Sequence, residues 1–461
     1  MANSKKLAPS ELAEHLRQRL VSLNAPGRRL TLALSGGLDS VVLLDMLLAA
    51  RHSLDFSLSA VHVNHQLSPH AADWADFCTA LCAQQNIPIQ VKKVQVARRS
   101  RLGLEAAARV ARYQAFAELD TELLLLAHHL DDQIETMLQN LLRGAGLSGA
   151  AGMPQCRPQA LGPTGHNLTL ARPLLEAPRA SLLAYAQKRN LRWIEDESNA
   201  DTTFTRNFLR HEVLPVIERR FPAYRDTLAR AAQHFAEADG LLGELAALDL
   251  SLVLHAEKLQ LAPLAQLSPA RAMNVLRAYL AQQGLPVLDS ERLREWLRQL
   301  LGARGDRRVA LGVAGLTLRR YRGAAWVEQD NSGFDPDGNP NWQVTWHGER
   351  KLKLDDLGFY LSLLPVRGSG ISLAKLTQAR VTIRLRQGGE KLQPSCTRPR
   401  RTLKHLLQEA AIPPWQRQRL ALIYSGEHLV AAPGIGVDCA FHAAPDEAGL
   451  QMQWTRIDGV L

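Results

Sequence analysis

The sequence predicts an α/β chain: a doubly wound parallel sheet, followed by a helical domain and a small mixed α+β C-terminal domain. Three observations predict it. Over about the first half, short apolar runs alternate with stretches of helical spacing, the mark of a parallel sheet covered on both faces. From Val213 to about Leu301 that alternation gives way to Ala-, Leu- and Arg-rich stretches with helical spacing. From about Leu373 onward short strands mix with one helix. At 461 residues the chain is too long for one ordinary core. The expected divisions are 1–215, 216–340 and 341–461.

The elements follow in order. Ser10 to about Leu23 predicts an amphipathic helix with Ser10 as its N-cap. After Pro26-Gly27, Leu30–Leu34 is a short apolar strand that runs into Ser35-Gly36-Gly37, and Ser40–Ala50 has helical spacing. Further strands are predicted at Leu58–Val63, Ile89–Val94 and Leu123–Ala127, with helices at Ala71–Gln85, Leu104–Glu118 and Asp131–Leu142. Leu228–Ala247 and Arg292–Leu301 are helical stretches of the second part, and Asp335–Pro340 is a turn-rich connector. In the last part Val381–Leu385 and His428–Ala432 read as strands and Leu403–Ala410 as a helix.

The formal net charge of +10 points to a polyanionic partner, with a solvated basic surface as the alternative. The charge is concentrated late: between Lys375 and Arg419 eleven basic residues face two acidic ones, Glu390 and Glu409, a local net of 11 − 2 = +9. The five cysteines form no CxxC pair; Cys78 and Cys82, four apart on a helix, read as small buried hydrophobes, and a reducing compartment is expected. No run approaches the apolar length of a membrane span, so a cytoplasmic protein without membrane partners is expected.

Two constellations carry chemistry. Ser35-Gly36-Gly37-Leu38-Asp39-Ser40 joins a strand to a helix through a Gly-Gly turn, which leaves backbone N–H groups pointing outward at the positive end of a helix dipole. Such an SGGxDS loop resembles the pyrophosphatase-type loop that grips ATP, and differs from the common P-loop, whose lysine follows a longer Gly-rich arc. A plain Gly turn is the bland alternative. Asp39 is the candidate to hold Mg²⁺. The second constellation is His128–Thr136, directly after the fourth strand, where His128, Asp132 and Glu135 share one helix face. Two carboxylates and an imidazole suit the binding and deprotonation of an ammonium group. Between them Arg109 either pairs with Glu105 at i, i+4 or reaches the site to stabilise negative charge.

Taken together these pieces resemble the tRNA(Ile)-lysidine synthetase family of PP-loop ATP pyrophosphatases over nearly the whole chain. Ser35–Ser40 matches the family's ATP loop, Val61–His65 its second strand, Glu105–Tyr113 its EAARxARY-like helix and His128–Thr136 its HHxDDQxET stretch. Leu142–Leu147, Arg172–Leu175, Asp196–Asn199, Arg206–Arg210, Arg386–Lys391 and Pro413-Pro414-Trp415 continue the series. Gln66 stands where a glycine is usual and Phe204 where a tyrosine is usual, departures that bear on tRNA contact and not on the reaction.

The resemblance implies an ATP-dependent ligase that joins free L-lysine to C2 of the wobble cytidine of CAU-anticodon tRNA(Ile), through an adenylated cytidine. Residue by residue, Ser35, Gly36, Gly37, Leu38, Asp39 and Ser40 would bind ATP, with Asp39 near Mg²⁺. Asp132 and Glu135 would hold the lysine ammonium group, His128 would help deprotonate it, and Arg109 would stabilise the anion. Arg206 would contact tRNA, as would the late basic cluster of Arg384, Arg386, Lys391, Arg398, Arg400, Arg401 and Lys404. A homodimer is left open. The competing readings are a tRNA thiolase of the same superfamily, which would call for paired or loop cysteines, an amidotransferase-type synthetase, whose nucleophile domain would call for a cysteine where this chain has Ala2, and a non-catalytic RNA-binding protein.

Overall fold

The computed structural model describes residues 7–97, 103–160, 167–303, 309–329, 339 and 342–456. Two compact units, Met1–Leu242 and Gly243–Leu461, divide it.

In the first unit, helix α1 (Pro9–Ser22) precedes strand β1 (Arg29–Ala33), α2 (Leu38–Arg51), β2 (Ser57–Asn64), α3 (Ala71–Gln84), β3 (Ile89–Lys93), α4 (Leu104–Ala117), β4 (Leu123–Leu125) and α5 (Leu130–Leu142). The short α6 (Leu147–Ala150), the hairpin β5 (Cys156–Ala160) and β6 (Asn167–Ala171), and α7 (Arg179–Lys188) follow. The helix α1 begins one residue before the expected cap. Ala8 caps it, Pro9 takes the first turn, where its missing N–H costs nothing, and Glu11 accepts a hydrogen bond from the Ala8 amide at 2.8 Å.

The sheet order is β3-β2-β1-β4-β6-β5, parallel throughout except for the antiparallel edge strand β5. The chain winds outward from β1 to β3, then returns to β4 on the other side of β1. Strand order therefore reverses between β1 and β4, the place where such sheets bind ligands at their carboxyl ends. Leu30, Leu32, Leu123 and Leu125 are buried beneath α1 and α2, whose core residues include Leu12, Leu16, Val42 and Leu47. Leu124, Leu168 and Leu170 face the other layer with Phe116 of α4. Apolar strands of this kind, buried on both faces, are what made the parallel sheet legible.

After α7 come the single turn α8 (Thr205–Phe208), a wider π-turn over Leu209–Val213, α9 (Leu214–Arg220) and the long α10 (Tyr224–Val253), within which the division between the units falls. The region expected to be helical contains a second layer. Helices at Pro269–Gln282 and Ser290–Gly302 pack with a five-stranded antiparallel sheet that includes Val309–Val313, Leu316–Tyr321 and Ala324–Gln329, around Leu276, Tyr279, Trp296 and Leu318. The expected connector Asp335–Pro340 lies outside the described residues apart from Asn339.

The C-terminal part pairs a five-stranded sheet, with Val381–Leu385, Ala421–Ser425 and His428–Ala432 at its centre, with a four-stranded sheet built on Phe359–Arg367 and Ala448–Arg456. Trp346, Leu361, Ile383, Ile423 and Leu450 fill the space between them. The expected strands and the helix at Leu403–Glu409 are present. Cys396 and Cys439 are joined as a disulfide with Cα atoms 5.3 Å apart. The pair is not among the sequence expectations, because partners 43 residues apart are brought together only by the fold. Among the described residues no helix is long and apolar enough to cross a membrane.

Candidate active site

The Ser35–Ser40 loop leaves β1 at the switch point and opens α2. Gly36 has φ +88°, and a Cβ there would lie 2.8 Å from Ile194 Cδ1 and 3.1 Å from Cys78 Sγ. Only glycine fits that conformation and that space. Ser40 Oγ donates to the Gly37 carbonyl at 2.9 Å and lies 3.1 Å from Ser35 Oγ, which holds the loop in shape. Helix α2 starts at Leu38 with no side-chain cap. Its first N–H groups are thus left to an anion, at the end of the helix where the dipole favours one.

Strands β1 and β4 being neighbours, α5 begins beside this loop. His129 is its N-cap: the His129 amide donates to Asp132 Oδ2 at 3.0 Å, and the Asp132 amide donates to His129 Nδ1 at 3.3 Å. That arrangement puts the proton of the neutral ring on Nε2, which lies 3.5 Å from Asp39 Oδ2. Burial pushes the pKa of His129 down, but the carboxylates of Asp132, Asp39 and Asp131 outweigh it and hold it above its ordinary value. Asp39 Oδ1 is buried and accepts no hydrogen bond among the described residues. A carboxylate oxygen left over beside an uncapped helix N-terminus would suit a divalent cation that offsets the charge of a phosphate bound there. Among the described residues no group of three or more His, Cys, Asp or Glu side chains is arranged to hold a metal by itself. A Mg²⁺ here would therefore rely on Asp39 and phosphate oxygens, its usual habit.

The acidic face of α5 is already occupied. Asp132 Oδ1 accepts from Arg206 Nη2 at 2.7 Å and Arg210 Nη2 at 3.3 Å, while the two oxygens of Glu135 accept from Arg206 Nε at 2.6 Å and Arg210 Nε at 2.7 Å. The Glu135 side chain is 1% exposed. For Asp132, burial raises the pKa, but His129 and Arg206, joined by His128 once that ring protonates in acid, bring it down to about 2. In this structure the two carboxylates expected to hold an ammonium group, and Arg206, expected to contact tRNA, pair with one another. A spacing rule identifies which side chains share a helix face, but not which cations another segment lays across it.

His128 also sits differently from the expectation. Its Nδ1 accepts a hydrogen bond from Arg172 Nε at 3.2 Å. Burial, partly offset by Asp132 and reinforced by Arg172, Arg206 and Arg109, brings its pKa down to about 3. A ring that weakly basic, with its lone-pair nitrogen taken, is poorly placed to accept a proton. Arg109 Nη2 donates to Tyr113 Oη at 3.2 Å, and the guanidinium lies 5.0 Å above the Tyr113 ring. The Glu105 side chain lies outside the described residues, so the i, i+4 pair is not part of this picture.

These groups line one cavity of about 810 Å³, walled by Ser35, Asp39 and Ser40, by Arg109 and Arg112 of α4, and by His128 and Asp132. Asn64, His65, Asp196, Glu197, Asn199 and Arg206 line it too. Asp196, Glu197 and Arg172 carried no individual role in the sequence reading. Each stands in a short motif, but its place in the cavity or behind it depends on chain packing.

Residues 10–217 match the PP-loop domain family, 259–326 the TilS substrate binding domain and 381–454 the TilS substrate C-terminal domain. The chain is 43% identical to a tRNA(Ile)-lysidine synthase of Nitrosomonas europaea over 98% of both chains. The chain belongs to the tRNA(Ile)-lysidine synthase family. Other members of the family are 37% identical, in Coxiella burnetii, with 92% of each chain covered, and 41% identical, in Aromatoleum aromaticum, with 94% of this chain and 98% of that one covered. As a tRNA(Ile)-lysidine synthase family member it is an ATP-using PP-loop ligase. Of the three described free cysteines Cys156 is exposed, while Cys78 and Cys82 are buried. Burial pushes Cys78 up to about 12 and Cys82 up to about 11, so both are inert thiols at neutral pH.

The expected tRNA contacts of the C-terminal part fall into two sets. Arg384 pairs with Glu427 at 3.2 Å, Arg386 with Glu390 at 3.5 Å, Arg400 with Asp438 at 3.0 Å and Arg401 with Glu409 at 2.6 Å. Lys391, Arg398 and Lys404 are exposed, and no ion pair is formed by them among the described residues. Gly388 and Gly389, at φ +100° and +84°, make the tight turn before Lys391.

Proposed function

We propose that this enzyme ligates free L-lysine to C2 of the wobble cytidine of CAU-anticodon tRNA(Ile), releasing AMP and pyrophosphate and switching decoding from AUG to AUA. One observation carries the reading. The PP-loop and the start of α5 meet across neighbouring strands, with His129 Nε2 3.5 Å from Asp39 Oδ2, so a nucleotide cradle and an acidic helix share one cavity.

ATP supplies the leaving group: the cytidine O2 becomes an adenylate, and the lysine amine then displaces AMP. The Ser35–Ser40 amides and hydroxyls would bind the phosphates, and Asp39 would hold Mg²⁺ against them. Arg109 would stabilise the negative charge that develops. Asp132 and Glu135 act in this proposal through the arginines they fix, Arg206 and Arg210, while Asp196 and Glu197 offer carboxylates to an ammonium group in the same cavity. The attacking amine must be neutral, yet free lysine has a pKa of ~10.4. The cavity sets Asp39, Asp132, Asp196 and Glu197 against Arg109, Arg112 and Arg206, so the ammonium group is held there, and the carboxylate of Asp196 or Glu197 would take its proton before attack.

Residues 1–215, 216–340 and 341–461 are proposed as the catalytic, guiding and tRNA-holding parts, with Lys391, Arg398 and Lys404 contacting phosphates. The decisive experiment is mass analysis of a CAU-anticodon tRNA after incubation with enzyme, ATP and lysine. A lysine adduct on the wobble base is expected. Its absence, with nucleotide consumed or not, would refute the proposal.

A further inference from the structure

Arg172 is a buried cation to which the proposed reaction gives no task. It follows β6, is 3% exposed, and among the described residues forms no ion pair with a carboxylate. Its Nη1 donates to the Pro154 carbonyl at 2.7 Å and its Nε to His128 Nδ1 at 3.2 Å. Burying a guanidinium without a counter-charge is costly, so a site that keeps one invites a reason.

The reason lies in the direction of one hydrogen bond. Arginine stays protonated and has no acceptor, so the shared hydrogen belongs to Arg172 and Nδ1 of His128 offers the lone pair. The proton of the neutral imidazole is then on Nε2, and His128 lines the cavity that holds the PP-loop. We propose that Arg172 is a positioning residue that fixes His128 as an Nε2–H donor to the anionic oxygen developing at the α-phosphoryl group during adenylation. In this step the bond from cytidine O2 to Pα forms, the bond from Pα to the bridging oxygen breaks, and pyrophosphate leaves with the electron pair. No proton moves at His128. The charged groups around it are Asp132 on α5, Arg109 on α4, Arg206 on α8 and Arg172 itself, three cations against one anion. That surplus, together with burial, keeps the ring neutral through the working pH range. This inference rests on the lysidine-forming reading.

The test uses the full-length enzyme, a CAU-anticodon tRNA transcript and ATP, with pyrophosphate release in single turnover as the readout of adenylation. His128→Ala is expected to slow this step by about 10²-fold or more, as loss of a preorganised donor does. His128→Gln, which keeps an N–H near the Nε2 position but has no basicity, is expected to recover at least about a tenth of the wild-type rate. Arg172→Met frees the tautomer and removes one repelling charge while burial, the larger influence, remains, so an acidic limb should enter the pH profile on the acid side of the ordinary histidine range. The wild type and Arg172→Lys should lack that limb. Two results would overturn the assignment: His128→Gln as slow as His128→Ala, or losses confined to the lysine-dependent step. If Arg172→Met does not fold, the two His128 variants still decide. Failure of the wild type to form any adduct would instead defeat the lysidine reading itself.

Discussion

Replacing Gly36 by alanine tests the nucleotide cradle where the structure gives a number. A non-glycine residue in the left-handed region costs about 1–2 kcal/mol. The new Cβ would also meet Ile194 Cδ1 at 2.8 Å and Cys78 Sγ at 3.1 Å. Overpacking of this kind adds about 1–3 kcal/mol, towards the lower end here because the Ile194 tip can turn away. The Ile194 amide donates to the Gly36 carbonyl at 2.9 Å, so the loop cannot slide without losing that bond. A total of about 2–4 kcal/mol follows. If the loop keeps its shape, the strain appears as a fall in Tm of roughly 4–8 °C or more. If the loop moves, it appears as a loss of ATP affinity of about 30-fold or more. Calorimetric melting and ATP titration of the same protein separate the two. Ile194→Val in the Gly36→Ala background removes the atom of closest approach and should recover part of the loss. Unchanged melting and unchanged ATP affinity in Gly36→Ala would refute the reasoning, because the cradle would then not need a glycine.

Other expectations follow from the same geometry. Asp132 has a folded pKa of about 2, below the ordinary 3.8, so its stabilisation is present above pH 4 and is lost as the pH falls through the folded value. Asp132→Asn should therefore cost on the order of 2 kcal/mol near neutrality, and chemical melts should show its gap from wild type closing between pH 4 and 2. Alanine at Lys391, Arg398 or Lys404 should each reduce the salt dependence of tRNA binding by about one unit of slope. Arg384→Ala or Arg401→Ala should change it less, since each already faces a carboxylate; filter binding across a salt series distinguishes the two sets. Glu328 accepts from Trp326 Nε1 at 2.8 Å, Trp415 Nε1 at 2.8 Å and Gln416 Nε2 at 2.7 Å, and Arg319 lies 3.1 Å away. Glu328→Ala leaves these donors without their acceptor and should destabilise the C-terminal unit by about 1–3 kcal/mol, read as a lower unfolding midpoint.

What the sequence determined by itself is local. Continuous apolar strands such as Leu30–Leu34 and Leu123–Ala127 announce a buried parallel sheet because period and composition are properties of neighbouring residues. The Gly36-Gly37 turn and the i, i+4, i+7 spacing of His128, Asp132 and Glu135 are local in the same sense. The antiparallel sheet behind the middle helices was also partly legible, since Ala314-Gly315 and Arg322-Gly323 form two-residue hairpin turns with φ positive at both positions.

Tertiary structure alone decided what the charges do. Arg206 and Arg210 lie more than seventy residues beyond Glu135, yet they saturate it and Asp132. Arg172, 44 residues from His128, sets which of that ring's nitrogens carries the proton. Cys396 and Cys439 likewise meet only in the folded chain. Pairing of this kind depends on which segments pack together, and the energy of a charge depends on every group within reach. A helix face shows which side chains point together; the protonation state and the partner of each belong to the three-dimensional field.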